Sequence, residues 1–161
     1  MSITKHKFSR RVILQGAGAV SLAGLGGVPF GLPALAAAND KYPEDAFKQK
    51  SDADAIKALY GKTAEASDKI KLDAPEIAEN GAVVPVSVTT TLPDVTSISF
   101  LVAENPIVLV ASYKLPAGTV PTIANRIKMA KTSKVTVLVE AGGKLFRTDK
   151  EVKVTVGGCG G

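Results

Sequence analysis

Valine at every second position most restricts what this chain can become. Val84, Val86 and Val88 alternate with Pro85, Ser87 and Thr89, Val135, Val137 and Val139 repeat the pattern, and Val152, Val154 and Val156 repeat it again. Side chains in a strand point to opposite faces with a period of two, so each run predicts a strand with one apolar face. Between the runs stand turn signals: Asn80-Gly81, Leu92-Pro93-Asp94, Asn105-Pro106, Pro116-Ala117-Gly118 and Gly142-Gly143. They also bound strands over Val95 to Val102, with Ile98, Phe100 and Val102 on one face, over Ile107 to Leu115, over Val120 to Met129 and over Leu145 to Val156. Six or seven short strands with no helix between them predict a mainly β domain over residues 71–156, an antiparallel β-sandwich with an open barrel as the alternative. Proline brings no backbone donor to a sheet, so Pro85, Pro106 and Pro121 are expected at edges, bulges or strand starts.

The period changes ahead of residue 71. Ala55, Ile56, Leu59 and Tyr60 form an i, i+3, i+4 stripe that Gly61 can stop, while Pro43, Glu44 and Asp45 suit a first helical turn. Residues 37–70 therefore read as an N-terminal helical section, one helix or two turns either side of the polar Lys50 to Asp54, with Phe47 stapling the first part to the body.

Residues 1–36 read as an export signal. Lys5, Lys7, Arg10 and Arg11 make a basic start, and Ser9-Arg10-Arg11-Val12-Ile13-Leu14 resembles a twin-arginine signal. A Gly/Ala-rich apolar run from Gly16 to Leu35 leads to the small-x-small pattern Ala34-Leu35-Ala36. A membrane anchor is the alternative, but the run is rich in glycine, weakly apolar and ends at a processing pattern. The expected location is the periplasm, with folding before export and no stable membrane association after cleavage.

Cleavage changes the charge argument. The whole chain has 20 basic and 15 acidic residues, and removing Lys5, Lys7, Arg10 and Arg11 leaves 16 against 15. No nucleic-acid or membrane-surface partner follows from so small an excess. The single histidine, His6, departs with the signal, so the remainder holds one cysteine and no histidine. A Cys/His metal site and a Ser-His or Cys-His catalytic pair are thereby excluded within this chain. No cofactor and no enzymatic activity of its own are expected.

The remaining cysteine, Cys159, stands in Gly157-Gly158-Cys159-Gly160-Gly161. Free cysteine is commonly a buried small hydrophobe, but glycine pairs on both sides supply nothing apolar to bury it. Glycine also loses the most freedom on ordering. Residues 157–161 are therefore expected to form a mobile arm. At about 3.3–3.6 Å per extended residue, Cys159 can reach roughly 10 Å beyond Val156. No helix N-terminus, cation or metal stands near it in sequence to activate the thiolate. The arrangement points to a thiol presented to other proteins: a covalent carrier, or a structural subunit tethered to a partner by a disulfide. A carrier of the ubiquitin-like kind, using a Gly-Gly thiocarboxylate, fits Gly160-Gly161 but conflicts with the export signal.

The Gly-Gly-Cys-Gly-Gly segment on a twin-arginine, β-rich chain resembles the SoxY family, the sulfur-carrying subunit of the bacterial thiosulfate-oxidising Sox system. Two further stretches carry the resemblance, Pro75-Glu76-Ile77-Ala78-Glu79-Asn80-Gly81-Ala82-Val83-Val84-Pro85-Val86 and Arg126-Ile127-Lys128-Met129-Ala130-Lys131-Thr132-Ser133. It implies an immunoglobulin-like sandwich paired with SoxZ as a periplasmic heterodimer. It further implies that the cytochrome SoxXA joins thiosulfate oxidatively to Cys159, that the dimanganese hydrolase SoxB releases sulfate, and that the residual persulfide sulfur passes in some organisms to the sulfur dehydrogenase SoxCD. Gly157, Gly158, Gly160 and Gly161 would then be hinge and clearance residues of the swinging arm.

Overall fold

A computed structural model describes residues 42–156. The helical section is shorter than its sequence suggests. A 3₁₀ turn, Ala46–Lys48, follows Pro43, the chain extends at Gln49, and helix α1 runs over Asp52–Tyr60. The break falls at Gln49 to Ser51, so Asp52 and Asp54 open the helix. Ser51 caps it, its Oγ accepting from the Asp54 amide (3.2 Å) and donating to the Asp54 carboxylate (2.7 Å). Gly61 ends it at φ 61°, a left-handed conformation that costs glycine no Cβ clash, and its amide reaches Lys57 O.

Nine strands follow among the described residues: β1 (Ala64–Ala66), β2 (Ile70–Asp73), β3 (Ile77–Asn80), β4 (Val84–Thr90), β5 (Val95–Val102), β6 (Leu109–Lys114), β7 (Thr122–Ile127), β8 (Ser133–Ala141) and β9 (Lys144–Val156). They form an immunoglobulin-like sandwich. The larger sheet has the order β1-β9-β8-β5-β6 with β3 also paired to β9, and the smaller has the order β2-β4-β7.

Two features differ from the sequence expectation. Strand pairing begins at β1, inside the stretch read as helical. The sandwich is also not wholly antiparallel, because β1 and β3 both lie parallel to β9. Parallel neighbours require long connections, here supplied by most of the domain, so local turn signals could not reveal them.

The expected faces are otherwise found. Ile98, Phe100 and Val102 lie opposite Val139, Val137 and Val135 on the inner face, all fully buried against Val84, Val86 and Val88 of the smaller sheet. The three prolines behave as their missing donors require. Pro85 lies beyond the end of β2, whose pairing with β4 stops at Asp73↔Ser87; Pro106 is in the β5–β6 turn; Pro121 immediately precedes β7. Gly142 (φ 54°) and Gly143 (φ 77°) make the two-residue turn between β8 and β9, and positive φ at both positions matches the twist of the strands it joins.

The outer face of β5 and β8 is covered as well. Leu101, Leu109, Leu138 and Leu145 pack under Ala46 and Ala55, with Phe47, Ile56, Leu59 and Tyr60 half-buried around them. This second core explains why β5 and β8 are buried almost throughout, although an alternating strand is expected to be half exposed.

Within it Tyr60 does more than pack. Its hydroxyl lies 3.0 Å from Ser97 Oγ and 2.7 Å from Ser99 Oγ, and Ser99 Oγ donates to Ser112 Oγ at 2.8 Å. Burial raises the Tyr60 pKa above its ordinary value, against the opposing hydrogen bonds from the serines. Replacing Tyr60 by Phe strands buried serine hydroxyls and should cost about 1–3 kcal/mol at neutral pH, read from denaturant unfolding. The raised pKa carries a second expectation. Its stabilising contribution is complete below the unfolded tyrosine value of about 10 and is lost as pH rises through the folded value. The alkaline fall in stability should therefore be shallower in Tyr60→Phe than in the parent protein.

Candidate functional site: the root of the cysteine segment

Cys159 and its glycines, Gly157, Gly158, Gly160 and Gly161, lie outside the described residues, as do Arg10 and Arg11 of the expected signal. The structure does show how the chain is delivered to that segment.

Strand β9 is 13 residues long, while β8 pairs with it only from Lys144 to Val152. The last four residues of β9 thus outrun their antiparallel partner, and other groups hold them. On one side β3 pairs in parallel, with Ile77, Ala78 and Asn80 opposite Lys153, Val154 and Val156. The Lys153 amide donates to Glu76 O (2.9 Å), Thr155 Oγ1 donates to Glu79 O (3.0 Å), and the Gly81 amide donates to Val156 O (2.8 Å). Elsewhere Thr132 substitutes for a ladder residue, its Oγ1 accepting from the Val154 amide at 2.9 Å. The backbone is therefore tied down through Val156, the residue immediately before Gly157.

The loops around this end are tied to one another. The Gly81 carbonyl accepts from the Met129 amide (2.7 Å), which links the β3–β4 turn to the end of β7. Asn105 bridges the β5–β6 and β7–β8 loops, donating from Nδ2 to Lys128 O (2.8 Å) and accepting at Oδ1 from the Ala130 amide (2.9 Å). An exposed Lys131–Glu104 pair at 2.7 Å spans the same loops, a contact worth a fraction of a kcal/mol at such exposure.

The valine register also reports the transition from core to segment. Val152 is fully buried, Val154 half-buried and Val156 65% exposed, although all three share a strand face. Pairing with β8 stops at Val152 and Val154 only borders the core, so the alternation persists in sequence past the last fully buried position. Val83, 55% exposed, follows the Asn80-Gly81 turn that holds Val156. Among the described residues, no cluster of His, Cys, Asp or Glu is arranged to hold a metal ion.

The family model described as sulfur oxidation protein SoxY matches residues 56–159, which includes the last five residues of helix α1, every strand given above and Cys159. The chain belongs to the SoxY family. Among solved structures, the SoxY sulfur carrier protein of Chlorobium limicola f thiosulfatophilum is 46% identical, with a TM-score of 0.59, over 65% of this chain and 96% of that one. A superoxide reductase (neelaredoxin) from Ignicoccus hospitalis reaches a TM-score of 0.49 at 18% identity, over 56% of this chain and 94% of that one. At that distance the second likeness says nothing of this SoxY-family chain's chemistry. None of the curated proteins matches it.

Sequence reasoning found the glycine segment but missed the groups that hold its root. The Asn80-Gly81 turn was visible; the parallel β3–β9 pairing and the role of Thr132 were not, because neither carries a local pattern. Thr132→Ala should remove one net hydrogen bond, worth about 1 kcal/mol. The Val154 amide should then exchange with solvent roughly fivefold faster, read by hydrogen-exchange NMR. Amides of Val135 to Val139 should keep their rates, because the core is untouched.

Proposed function

We propose that this chain is a periplasmic covalent sulfur carrier, loaded and unloaded on Cys159 at the active sites of other proteins. The observation that carries the reading is the family match extending through Cys159, on a chain whose backbone is tied as far as Val156. A thiol three residues beyond a fixed strand end can enter a partner's channel to a depth of about 10 Å. Gly157, Gly158, Gly160 and Gly161 bring no side chains to collide with its walls. The SoxY of Chlorobium limicola f thiosulfatophilum is described as a sulfur carrier protein, and the same role is assigned to this chain.

The proposed cycle balances without any catalytic group in this chain. Loading joins the Cys159 thiol and thiosulfate through a new S–S bond, yielding a cysteine S-thiosulfonate, one proton and two electrons, the electrons passing to the c-type cytochrome SoxXA. Hydrolysis at the dimanganese centre of SoxB breaks the S–SO₃ bond with one water, releasing sulfate and a proton and leaving a persulfide on Cys159. SoxCD, where present, oxidises the persulfide sulfur further. The chain itself supplies attachment and delivery, as one subunit of a heterodimer with SoxZ. Persulfides and related adducts form on accessible cysteine sulfur, which is consistent with a displayed thiol.

Mass spectrometry of the peptide containing Cys159, isolated without reductant after incubation with thiosulfate and SoxXA, tests the reading directly. A thiosulfonate adduct on the parent protein is expected, and none on Cys159→Ser. Stability of that variant should stay within about 0.5 kcal/mol of the parent, as for substitutions away from a core. Adducts at another residue, or an unmodified Cys159 in a loading-competent mixture, would refute the assignment. Placing proline at both Gly157 and Gly158 should slow turnover in the reconstituted system, because proline fixes φ where the arm is proposed to swing.

The export reading has its own test. Exchanging both Arg10 and Arg11 for lysine should leave the precursor in the cytoplasm, read by immunoblotting of fractionated cells. Undiminished periplasmic protein would reject a twin-arginine route.

A further inference from the structure

One side chain takes over where the β8–β9 ladder stops. Strand β8 pairs with β9 only as far as Ser133 opposite Val152, and β9 runs on to Val156. Successive strand residues turn their main-chain groups to opposite sides. The Lys153 amide turns towards Glu76 O, next to β3, so the Val154 amide turns to the side that β8 has left. There it meets Thr132 Oγ1 at 2.9 Å, and the same oxygen lies 3.5 Å from Val154 O, at the long limit for donation. A hydroxyl both accepts and donates. Thr132 thus presents to Val154 the two functions that a further β8 residue would have presented from its backbone.

The chain on either side of Thr132 is itself held. Before it, the Met129 amide donates to Gly81 O (2.7 Å) and the Ala130 amide to Asn105 Oδ1 (2.9 Å). After it, the buried Ser133 accepts at Oγ from the Glu104 amide (3.0 Å), and Lys134 O accepts from the Ala103 amide (3.1 Å). Thr132 is exposed, so no buried group of its own requires the contact. Its hydrogen bond matters little to the stability of the domain, yet it acts on the residues that lead to Gly157.

For a carrier, the point at which the backbone becomes fixed sets the length of the tether. With β9 held to Val156, three residues (157–159) carry the thiol, a reach of roughly 10 Å. Released back to Val152, seven residues (153–159) would carry it, a reach of roughly 23–25 Å. The effective concentration of a tethered group falls roughly as the −3/2 power of tether length once the tether exceeds the span. Going from three residues to seven therefore dilutes the thiol about threefold to fourfold at a site 10 Å away.

We propose that Thr132 is a positioning residue for delivery: by replacing the missing continuation of β8, it keeps the tether of Cys159 short. It touches neither the thiol nor its cargo and acts through Val154. The proposal rests on the carrier reading given above and deepens it by naming the residue that aims the arm.

The test measures loading of the full chain, with its SoxZ subunit, by SoxXA and thiosulfate at varied carrier concentration. In Thr132→Val the KM for carrier should rise about twofold to fourfold with kcat unchanged, the upper limit being complete release. Thr132→Ser keeps the hydroxyl and should restore the parent KM. Thr132→Val with Thr155→Val, which also removes the Thr155 bond to Glu79 O, should lie nearer the upper limit. Iodoacetamide should alkylate Cys159 at the parent rate in every variant, because a small reagent does not depend on aim, and unfolding midpoints should stay unchanged. A second readout is independent of loading: spin labels on Cys159 and on Lys71→Cys in β2 report a distance distribution. It should widen in Thr132→Val, at most by the roughly twofold ratio of the two reaches. An unchanged KM in the double variant, a fall in kcat alone, or failure of Thr132→Ser to restore KM overturns the positioning role while leaving the carrier reading intact. A parent chain that SoxXA never loads at Cys159 overturns the carrier reading, and the positioning role with it, even where the distances widen.

Discussion

Everything in this domain is arranged around one pair of strands buried on both faces. The inner face of β5 and β8, with Ile98, Phe100, Val102, Val135, Val137 and Val139, is sealed by the smaller sheet. Their outer face, with Leu101 and Leu138, is sealed by the 3₁₀ turn and helix α1. At about 25 cal/mol per Å² of apolar surface removed from water, double coverage of the central strands concentrates the stabilisation at the middle of the larger sheet. The N-terminal helix is therefore not an appendage. Without it Leu101, Leu109, Leu138 and Leu145 would face solvent.

Burying a sheet on both sides raises the question of its polar residues. Ser97 and Ser99 sit under the helix on the buried outer face, and their hydroxyls meet Tyr60 and Ser112. A buried hydroxyl left unpaired costs more than a made hydrogen bond returns, so this network is what permits polar residues in β5 at all. At the rim of the same interface, Glu140 pairs with Lys62 and accepts from Thr96, and the Lys62 hydrogen bond is the main cause holding its carboxyl below the usual range. Glu140 and Lys62 thus bind the segment after α1 to the end of β8.

The long strand β9 links this core to the site. Its first nine residues pair antiparallel with β8, and its last four are held by β3 and Thr132 after β8 has ended. A strand that continues past its core needs new partners for its backbone groups, since unpaired amides and carbonyls are costly wherever water is excluded. Here those partners arrive from the parallel β3, so the strand is held in register as far as Val156. The same arrangement places both parallel strands, β1 and β3, against β9, while β6 and β7 are the edge strands of their sheets among the described residues.

Much of this was legible in the residues themselves, and the limits have physical causes. Alternating valines and Gly/Pro/Asn turns act over a few positions, so strand faces, the two-glycine hairpin, the α1 stop at Gly61 and the solitary Cys159 could all be read directly. Helix α1 was visible from its stripe, but β1 at Ala64–Ala66 was hidden, because three residues give no measurable period. Tyr60 read as packing, and only its approach to Ser97 and Ser99, 37 and 39 residues away, revealed a buried hydrogen-bond centre. By itself the sequence determined the β-rich class, the shape of the core-facing strands and the presence of one cysteine among glycines. Tertiary structure alone decided the parallel pairings on β9, the double burial of β5 and β8, and the order of strands in each sheet. Those depend on contacts between residues far apart in the chain, whose closure entropy is offset only when the whole domain assembles, so no local pattern encodes them.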